Sequence, residues 1–234
     1  MVPLLPGPDR ISVIVPVGRG EREPGRDFFE RVLGEMPERV QIVCTADEGT
    51  SPEVLSAFAH AGALLLSSEA PRGARLSSAA AASTGDIFLF LHADTILPRG
   101  WDLAVRRAVE SGAAGGAFRL SFSGGGARMA WVAFWANART AFTRVPYGDQ
   151  APFVRRDVYE RLGGHEPWPL LEDWDLARRV RDAGRVALLP EAVSTSPRRY
   201  LERGVARTVL RNWRTLWRFR RGVPPETLAE EYRR

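Results

Sequence analysis

Residues 86–95 read Asp-Ile-Phe-Leu-Phe-Leu-His-Ala-Asp-Thr. An unbroken apolar run ends abruptly in an imidazole and a carboxylate. A continuous run of this length, rather than an alternating one, is the pattern of a strand buried on both faces. Three more such runs precede it: Ile11–Val17, Val40–Thr45 and Ala63–Leu66. The segments between them, Pro24–Met36, Ser51–Ala61 and Arg72–Thr84, have helical length. Strands alternating with helices predict an α/β fold, a doubly wound, mostly parallel sheet with helices on both faces. Ligands of such folds gather at the carboxyl ends of the strands, which is where His92 and Asp94 fall.

The chain has 234 residues, 44% hydrophobic and 26% charged, enough for a substantial core and against a disordered chain. No stretch reaches the roughly 18 apolar residues of a membrane span, and Met1–Pro8 does not read as a secretory signal. The single cysteine, Cys44, excludes a disulfide framework and any multi-thiolate metal site, and is read as a small buried hydrophobe. All 33 basic residues are Arg. From Pro197 to Arg234 there are 11 Arg against 4 Glu, +7, and the rest holds 22 Arg against 24 acids, −2, for a net +5. A near-neutral body with a cationic tail is not the pattern of a nucleic-acid binder.

The second half reads as a strand ending in Phe118, Leu120 and Phe122, then a helix over Ala127–Thr143 carrying Trp131, Phe134, Trp135 and Phe142. Short helices are expected at Asp157–Leu162 and Glu172–Ala183, strands at Ala151–Val154 and Val186–Leu189, and one long amphipathic helix at Arg203–Arg221. The chain is read as one domain. It divides into residues 1–111, 112–200 and 201–234, the last being its basic C-terminal helices.

Four stretches can carry chemistry. In an extended strand His92 and Asp94 would point the same way, a spacing suited to a divalent cation under a diphosphate; a polar strand end is the equal alternative. Glu172, Asp173 and Asp175 open a helix after the apolar run Pro167–Leu171; they either favour the helix N-terminus or supply a general base. Arg72 and Arg75 at a helix start can grip phosphate. Asp47, after the second strand, can hold a ribose or base, or cap the next helix. Pro146–Gln150 reads as a turn tipped by Asp149 and Gln150. His60 and His165 are read as structural or surface residues. Neither a dinucleotide fingerprint nor a P-loop is present, and a chain without Lys cannot build the latter.

Taken in order, Ile11–Val17, the acidic turn after the second strand, Leu91-His-Ala-Asp94, Pro146-Tyr-Gly-Asp-Gln150 and Leu171-Glu-Asp173 resemble the family 2 glycosyltransferases of the GT-A fold. The likeness is strongest to the short bacterial subgroup of selenodomain-associated transferases. It runs from Ile11 to Tyr232 and includes Ser196-Pro-Arg-Arg-Tyr200 and Thr208-Val-Leu-Arg-Asn-Trp213. The resemblance implies a Rossmann-like sheet, a nucleotide-diphosphate sugar donor, a hydroxyl acceptor and a divalent cation, Mn2+ or Mg2+. It implies a metal site at Asp94 and His92, and Asp173 as the base of an inverting transfer with Glu172 as its partner. Pro16, Val17, Asp47, Arg72, Arg75, Ala93, Asp94 and Arg199 would line the nucleotide sugar. Asp149, Gln150 and Trp174 would face sugar and acceptor. Three departures fall on the nucleotide side: Gly18-Arg-Gly-Glu21 in place of Asn-Glu, no second Asp after Asp47, and Ser78 in place of Asn.

In the tail, Arg203, Arg207, Arg211, Arg214, Arg218 and Arg221 recur at helical spacing beside Val205, Val209, Leu210, Trp213, Leu216 and Trp217. Packing of that apolar side on the core is the preferred reading. Contact with an anionic membrane surface, bringing a lipid-linked acceptor to a peripheral cytoplasmic enzyme, is the second. Two other functions stay open: a sugar nucleotidyltransferase on the same architecture, and a non-catalytic membrane-associated protein that binds nucleotide sugars.

Overall fold

The computed structural model describes residues 10–19 and 24–233; Met1–Pro8 and the Gly20-Glu21 part of the first loop lie outside them. Strands β1 (Ile11–Val17), β2 (Val40–Ala46), β3 (Leu64–Ser67) and β4 (Ile87–Phe90) pair in parallel. They are linked by helices α1 (Arg26–Leu33), α2 (Pro52–His60) and α3 (Arg72–Ala82). Beyond β4 the chain forms β5 (Thr95–Ile96), α4 (Trp101–Glu110), β6 (Gly115–Phe122), α5 (Gly126–Thr143), β7 (Phe153–Arg155), α6 (Arg156–Arg161), α7 (Glu172–Ala183) and β8 (Val186–Thr195). The C-terminal part is α8 (Arg198–Arg203), α9 (Val205–Arg220) and α10 (Pro225–Arg233). One sheet runs in the order β3-β2-β1-β4-β7-β6-β8-β5. Its β4–β7, β6–β7 and β5–β8 pairs are antiparallel and β6–β8 is parallel.

The period-2 alternation of side chains sends residues of one strand to two apolar layers. Ile11, Val13 and Val15 of β1, with Ile42 and Cys44 of β2 and Ile87 and Leu89 of β4, meet Phe28, Val32, Phe58, Trp101 and Val105 of α1, α2 and α4. Ile14, Val43, Phe88 and Phe90 meet Leu76, Ala79, Val158, Leu176 and Val180 of α3, α6 and α7. Burial on both faces is why these strands are mostly apolar at both parities. Cys44 lies within the first layer, and burial pushes its thiol up to about 12.

Several expectations change at the periphery. The last strand continues past Leu189 to Thr195, because a register shift opposite Ala117–Arg119 takes up Pro190, which has no N–H to donate to a ladder. The expected long tail helix is α9, and the short α8 precedes it across Gly204, whose φ of 84° lies in the left-handed region. On α5 the aromatic positions face out: Trp131 is 61% exposed and Phe142 92%, while Met129, Val132, Ala133 and Thr140 are buried. On α9 the preferred inward packing also fails for Val209, Leu210, Trp213 and Trp217, which are exposed. The inward side is Thr208 and Thr215, with Leu216 and Phe219 packed on Val145, Trp174 and Ala177. Among the described residues no helix is long and apolar enough to cross a membrane.

The start of α3 is fixed by a crossing chain. The Gly73 N–H donates to the Trp168 carbonyl at 2.9 Å, and a Cβ on Gly73 would lie 1.9 Å from the Glu166 carbonyl oxygen. This close approach holds the approach to α7 against the first turn of α3. Gly73→Ala is therefore expected to destabilise the fold by about 1–3 kcal/mol, the usual cost of overpacking. The urea midpoint measures it, and a midpoint equal to the parent's would show that the crossing is not kept.

Candidate functional site

A cleft of about 610 Å³ opens at the carboxyl ends of β1 and β4. Its lining includes Pro16, Val17, Arg72, Arg75, His92, Ala93, Asp94, Asp149, Glu172, Asp173 and Arg199, so most of the expected site residues share one wall system. That volume lies within the roughly 300–1,000 Å³ typical of small-molecule sites. Asp94 and Asp173 open into the same cleft.

Asp173 stands in the first turn of α7. Its Oδ1 accepts from the Trp174 N–H at 2.7 Å, and its Oδ2 accepts from the Gly148 N–H at 2.7 Å. Glycine gives this bond its room: a Cβ at 148 would lie 2.8 Å from Asp173 Oδ2 and 2.9 Å from His92 Nε2, so both side chains would have to shift. Leu171, just before the first residue of α7, adopts φ 67°, and Arg144 and Ala151, flanking the Pro146–Gln150 turn, also have positive φ. Non-glycine residues in this region are uncommon and gather where surrounding structure imposes them.

The neighbouring Glu172 is buried and ion-paired with Arg72, whose Nη2 lies 3.1 Å from His92 Nε2. Burial pushes the Glu172 carboxyl above the ordinary range, against the pull of Arg72. Glu172 thus anchors Arg72 instead of presenting a free carboxylate. Burial, reinforced by the charges of Arg72 and Arg199, holds His92 well below the usual imidazole range, so it is neutral. The strand ends at Phe90, and residues 92–94 form a turn closed by the Thr95 N–H on the His92 carbonyl at 3.1 Å. The extended spacing that would set His92 and Asp94 on one side is absent. His92 Nε2 turns to Arg72, which corrects its expected place beside Asp94 as a metal ligand.

Asp94 receives only long contacts, 3.5 Å each, from the Thr95 and Thr195 hydroxyls. Asp149 lines the cleft with a buried Oδ1 that has no hydrogen-bond partner. Burial raises its pKa to about 6; Arg139 opposes the rise, and the charges of Asp173 and Asp94 add to it. A hard divalent cation takes one or two carboxylates and completes its shell from phosphate oxygens and water. Asp94, with the unsatisfied Asp149 carboxylate in the same cleft, suits that chemistry. Among the described residues no group of three or more His, Cys, Asp or Glu gathers as a self-sufficient cage.

Arg75 is buried, and its Nη1 donates to the Val17 carbonyl at 2.9 Å and to the Thr45 carbonyl at 3.5 Å. It braces the ends of β1 and β2 while lining the cleft. Asp47 sits beside this brace, accepting from the Gly49 N–H and the Thr50 hydroxyl, and a Cβ on Gly18 would meet its Oδ2 at 2.6 Å. Two expected contacts lie elsewhere. Gln150 is 1% exposed, and its amide bonds to Thr140, Arg139, Tyr147, Phe118 and Asn137, which leaves nothing for a sugar. Trp174 is buried against Phe219 and anchors α9. His165 donates to or accepts from the Tyr159 hydroxyl at 2.9 Å and is held down to about 3 by burial, a structural residue as expected.

The sequence reading gave no role to Arg139, whose guanidinium stacks on Tyr147 at 3.3 Å, or to Thr208, Arg211, Asn212 and Tyr232 of the far wall. The last four come from two helices that only tertiary packing brings to the cleft, so no local spacing marks them.

No protein-family model matches the chain, and no curated protein matches it in sequence. Solved structures do. The mannosyltransferase PcManGT from Pyrobaculum calidifontis, in complex with GDP-Man and Mn2+, superposes with a TM-score of 0.64 at 19% identity, over 91% of this chain and 64% of that one. S. aureus TarS gives 0.56 at 14% identity over 80% of this chain and 36% of that one. Its fragment 1–349 gives 0.55 at 14% identity, over 82% and 62%. The chain spans less than two thirds of each of these proteins. At such identities the likeness defines the fold: a mixed α/β sheet of the GT-A kind.

The raised pKa of Asp149 sets a pH signature for the unliganded protein. A carboxyl near 6 when folded and 3.8 when unfolded holds its proton more tightly in the native state. Its contribution is therefore fully present below about pH 4 and is lost as pH rises to about 6. Asp149→Asn is expected to be more stable than the parent at pH 7 and equal to it at pH 4. Urea midpoints across that range measure the difference, and a constant offset would contradict the assignment.

Proposed function

We propose that the protein is a glycosyltransferase of the family 2 type, moving a sugar from a nucleotide-diphosphate sugar to an acceptor hydroxyl by single displacement with inversion. The observation that carries this reading is that Asp94 and Asp173 share one Arg-lined cleft at the carboxyl ends of the parallel strands. The fold likeness to PcManGT, a mannosyltransferase solved with GDP-Man and Mn2+, adds support. In this reading residues 1–111 hold the nucleotide, 112–200 the acceptor and catalytic groups, and 201–234 form an accessory helical layer.

Asp173 is oriented by the Gly148 and Trp174 N–H groups and acts as the base. It takes the proton of the acceptor hydroxyl as that oxygen bonds to the anomeric carbon and the bond to the diphosphate breaks. Arg75 and Arg199 offset the charge that grows on the leaving diphosphate. Arg72 is held in place by Glu172, which makes Glu172 a positioning residue. Asp94 would hold the divalent cation, with Asp149 its neighbour in the cleft; Mn2+ or Mg2+ there neutralises phosphate charge. Asp149 is also placed to accept from a sugar or acceptor hydroxyl, which would satisfy its buried oxygen.

The test is nucleotide release from uridine, guanosine and thymidine diphosphate sugars with Mn2+ or Mg2+. Asp173→Asn should lose about 10²–10⁴ in turnover, the usual worth of a positioned base, and keep its nucleotide affinity. Asp94→Ala should lose the metal-dependent part of nucleotide binding in calorimetry. Pyrophosphate release from a nucleoside triphosphate would instead make the protein a nucleotidyltransferase. Binding without turnover by the parent chain would make it a binding protein.

The same reading places the enzyme on the cytoplasmic face of a membrane with a lipid-linked acceptor. The exposed Trp131, Phe134 and Trp135 of α5, and the Trp213 and Trp217 of α9 among its Arg residues, fit an anionic lipid surface. Sedimentation with anionic vesicles at low salt should carry the protein down, and Trp213→Ser with Trp217→Ser should release it. A parent protein wholly in the supernatant would refute membrane attachment.

A further inference from the structure

Near Tyr200 the cleft is walled by Thr208, Arg211 and Asn212 of α9 and Tyr232 of α10. Positions 208, 211 and 212 lie three and four apart, on one helical face. Thr208 is 4% exposed, yet its hydroxyl has no partner. This departs from the habit of buried helical threonines. On α5 the Thr140 and Thr143 hydroxyls donate back to the Ala136 and Arg139 carbonyls at 3.0 and 2.9 Å. One turn on, the Arg211 Nε is buried and also without an acceptor, while its Nη1 donates to the Tyr232 carbonyl at 3.3 Å and its guanidinium stacks on the Tyr232 ring at 4.1 Å. The Tyr232 hydroxyl donates to Asn212 Oδ1 at 2.8 Å, which directs the Asn212 amide to serve as a donor. Helix α9 contains no acidic residue to neutralise Arg211.

A buried hydroxyl, a guanidinium N–H and an amide on one face all need acceptors and carry net positive charge. Buried polar atoms without partners call for an explanation, and a ligand rich in anionic oxygens supplies one. The donor diphosphate does not account for them, because Arg75, Arg199 and the cation site at Asp94 already serve it. We propose that Thr208, Arg211 and Asn212 form an anion subsite that binds a phosphate ester carried by the acceptor. Naming the ligand as the acceptor rests on the transferase reading; the subsite itself does not. The phosphate belongs either to a lipid headgroup or to a water-soluble ester, and both present the same oxygens.

The test uses the full chain and two probes: sn-glycerol 3-phosphate in calorimetry, and phosphatidic acid vesicles in sedimentation, with phosphatidylcholine vesicles as control. Arg211→Gln should weaken phosphate binding about tenfold, the scale of one lost charge-assisted bond. Thr208→Val keeps the shape of the side chain and should weaken it by a smaller factor with an unchanged melting temperature; it serves if Arg211→Gln does not fold. Arg107→Gln, at an exposed position of α4 outside the cleft, should leave phosphate affinity unaltered. Binding of the soluble ester assigns a water-soluble acceptor, and binding confined to phosphatidic acid assigns a lipid. Affinity lost in Arg75→Gln but kept in Arg211→Gln and Thr208→Val would overturn the subsite, as would no phosphate binding in either arm. Nucleoside diphosphate binding, measured separately, should persist in Arg211→Gln. Its absence from the parent chain would remove the transferase reading and leave the phosphate result standing.

Discussion

The contact between the Gly148 backbone and the Asp173 carboxylate is the constraint on which the site depends. It joins a turn leading into β7 to the first turn of α7, with His92 pressed against the same glycine. Three segments distant in sequence are thereby held within hydrogen-bonding reach. The sheet makes this possible: β7 is antiparallel to β4, so the turn preceding β7 lies at the end where β4 delivers His92 and Asp94. A side chain at 148 would separate the base from the residues opposite. The backbone pays for this closeness with positive φ at Leu171 and Ala151.

Electrostatics then divide the cleft into roles. Glu172 is buried and bonded to Arg72, which in turn faces a neutral His92, so one acid, one base and one imidazole stabilise each other. Removing Arg72 would leave the buried Glu172 without its partner, a costly outcome. Asp94, Asp149 and Asp173 remain as carboxylates along the cleft; burial first, and the charges of Asp173 and Asp94 after it, raise the pKa of Asp149. Carboxylates spread along one cleft favour a hydroxyl-rich ligand, or a cation whose shell is completed by phosphate.

The core was legible because it is periodic. The runs at Ile11, Val40, Ala63 and Asp86 each became a parallel strand; three are covered on both faces, while Leu64 and Leu65 of the edge strand β3 are exposed. The acids at Glu172, Asp173 and Asp94 were legible as positions, while their division of labour was not. Local spacing cannot say that residues 92–94 leave the strand and turn, or that Arg72, a hundred residues from Glu172, neutralises it. Gln150 was misread for a related reason. A polar tip in a turn motif resembles a ligand contact, but here every amide atom is consumed by α5 and β6. The helical faces were misread in the opposite sense. Core packing was the preferred reading of the apolar side of α9, Trp213 included, whereas the buried side chains of that helix are the small Thr208 and Thr215.

The arginines show why charge counting has limited reach in this chain. Arg156 donates to the Gly85 and Ser83 carbonyls, Arg179 to those of Leu162 and Gly164, and Arg185 to that of Ser111. These are internal struts: a planar fork with five donors can close several orphaned carbonyls at once, which a lysine ammonium does less well. Arg75 combines both uses, bracing two strand ends and facing the cavity. An arginine is thus informative about ligands only where its remaining donors point into open volume without a carbonyl or carboxylate to meet them. On the far wall the Arg211 Nε is buried without an acceptor, as is the Nε of Arg75, and both arginines line the cleft.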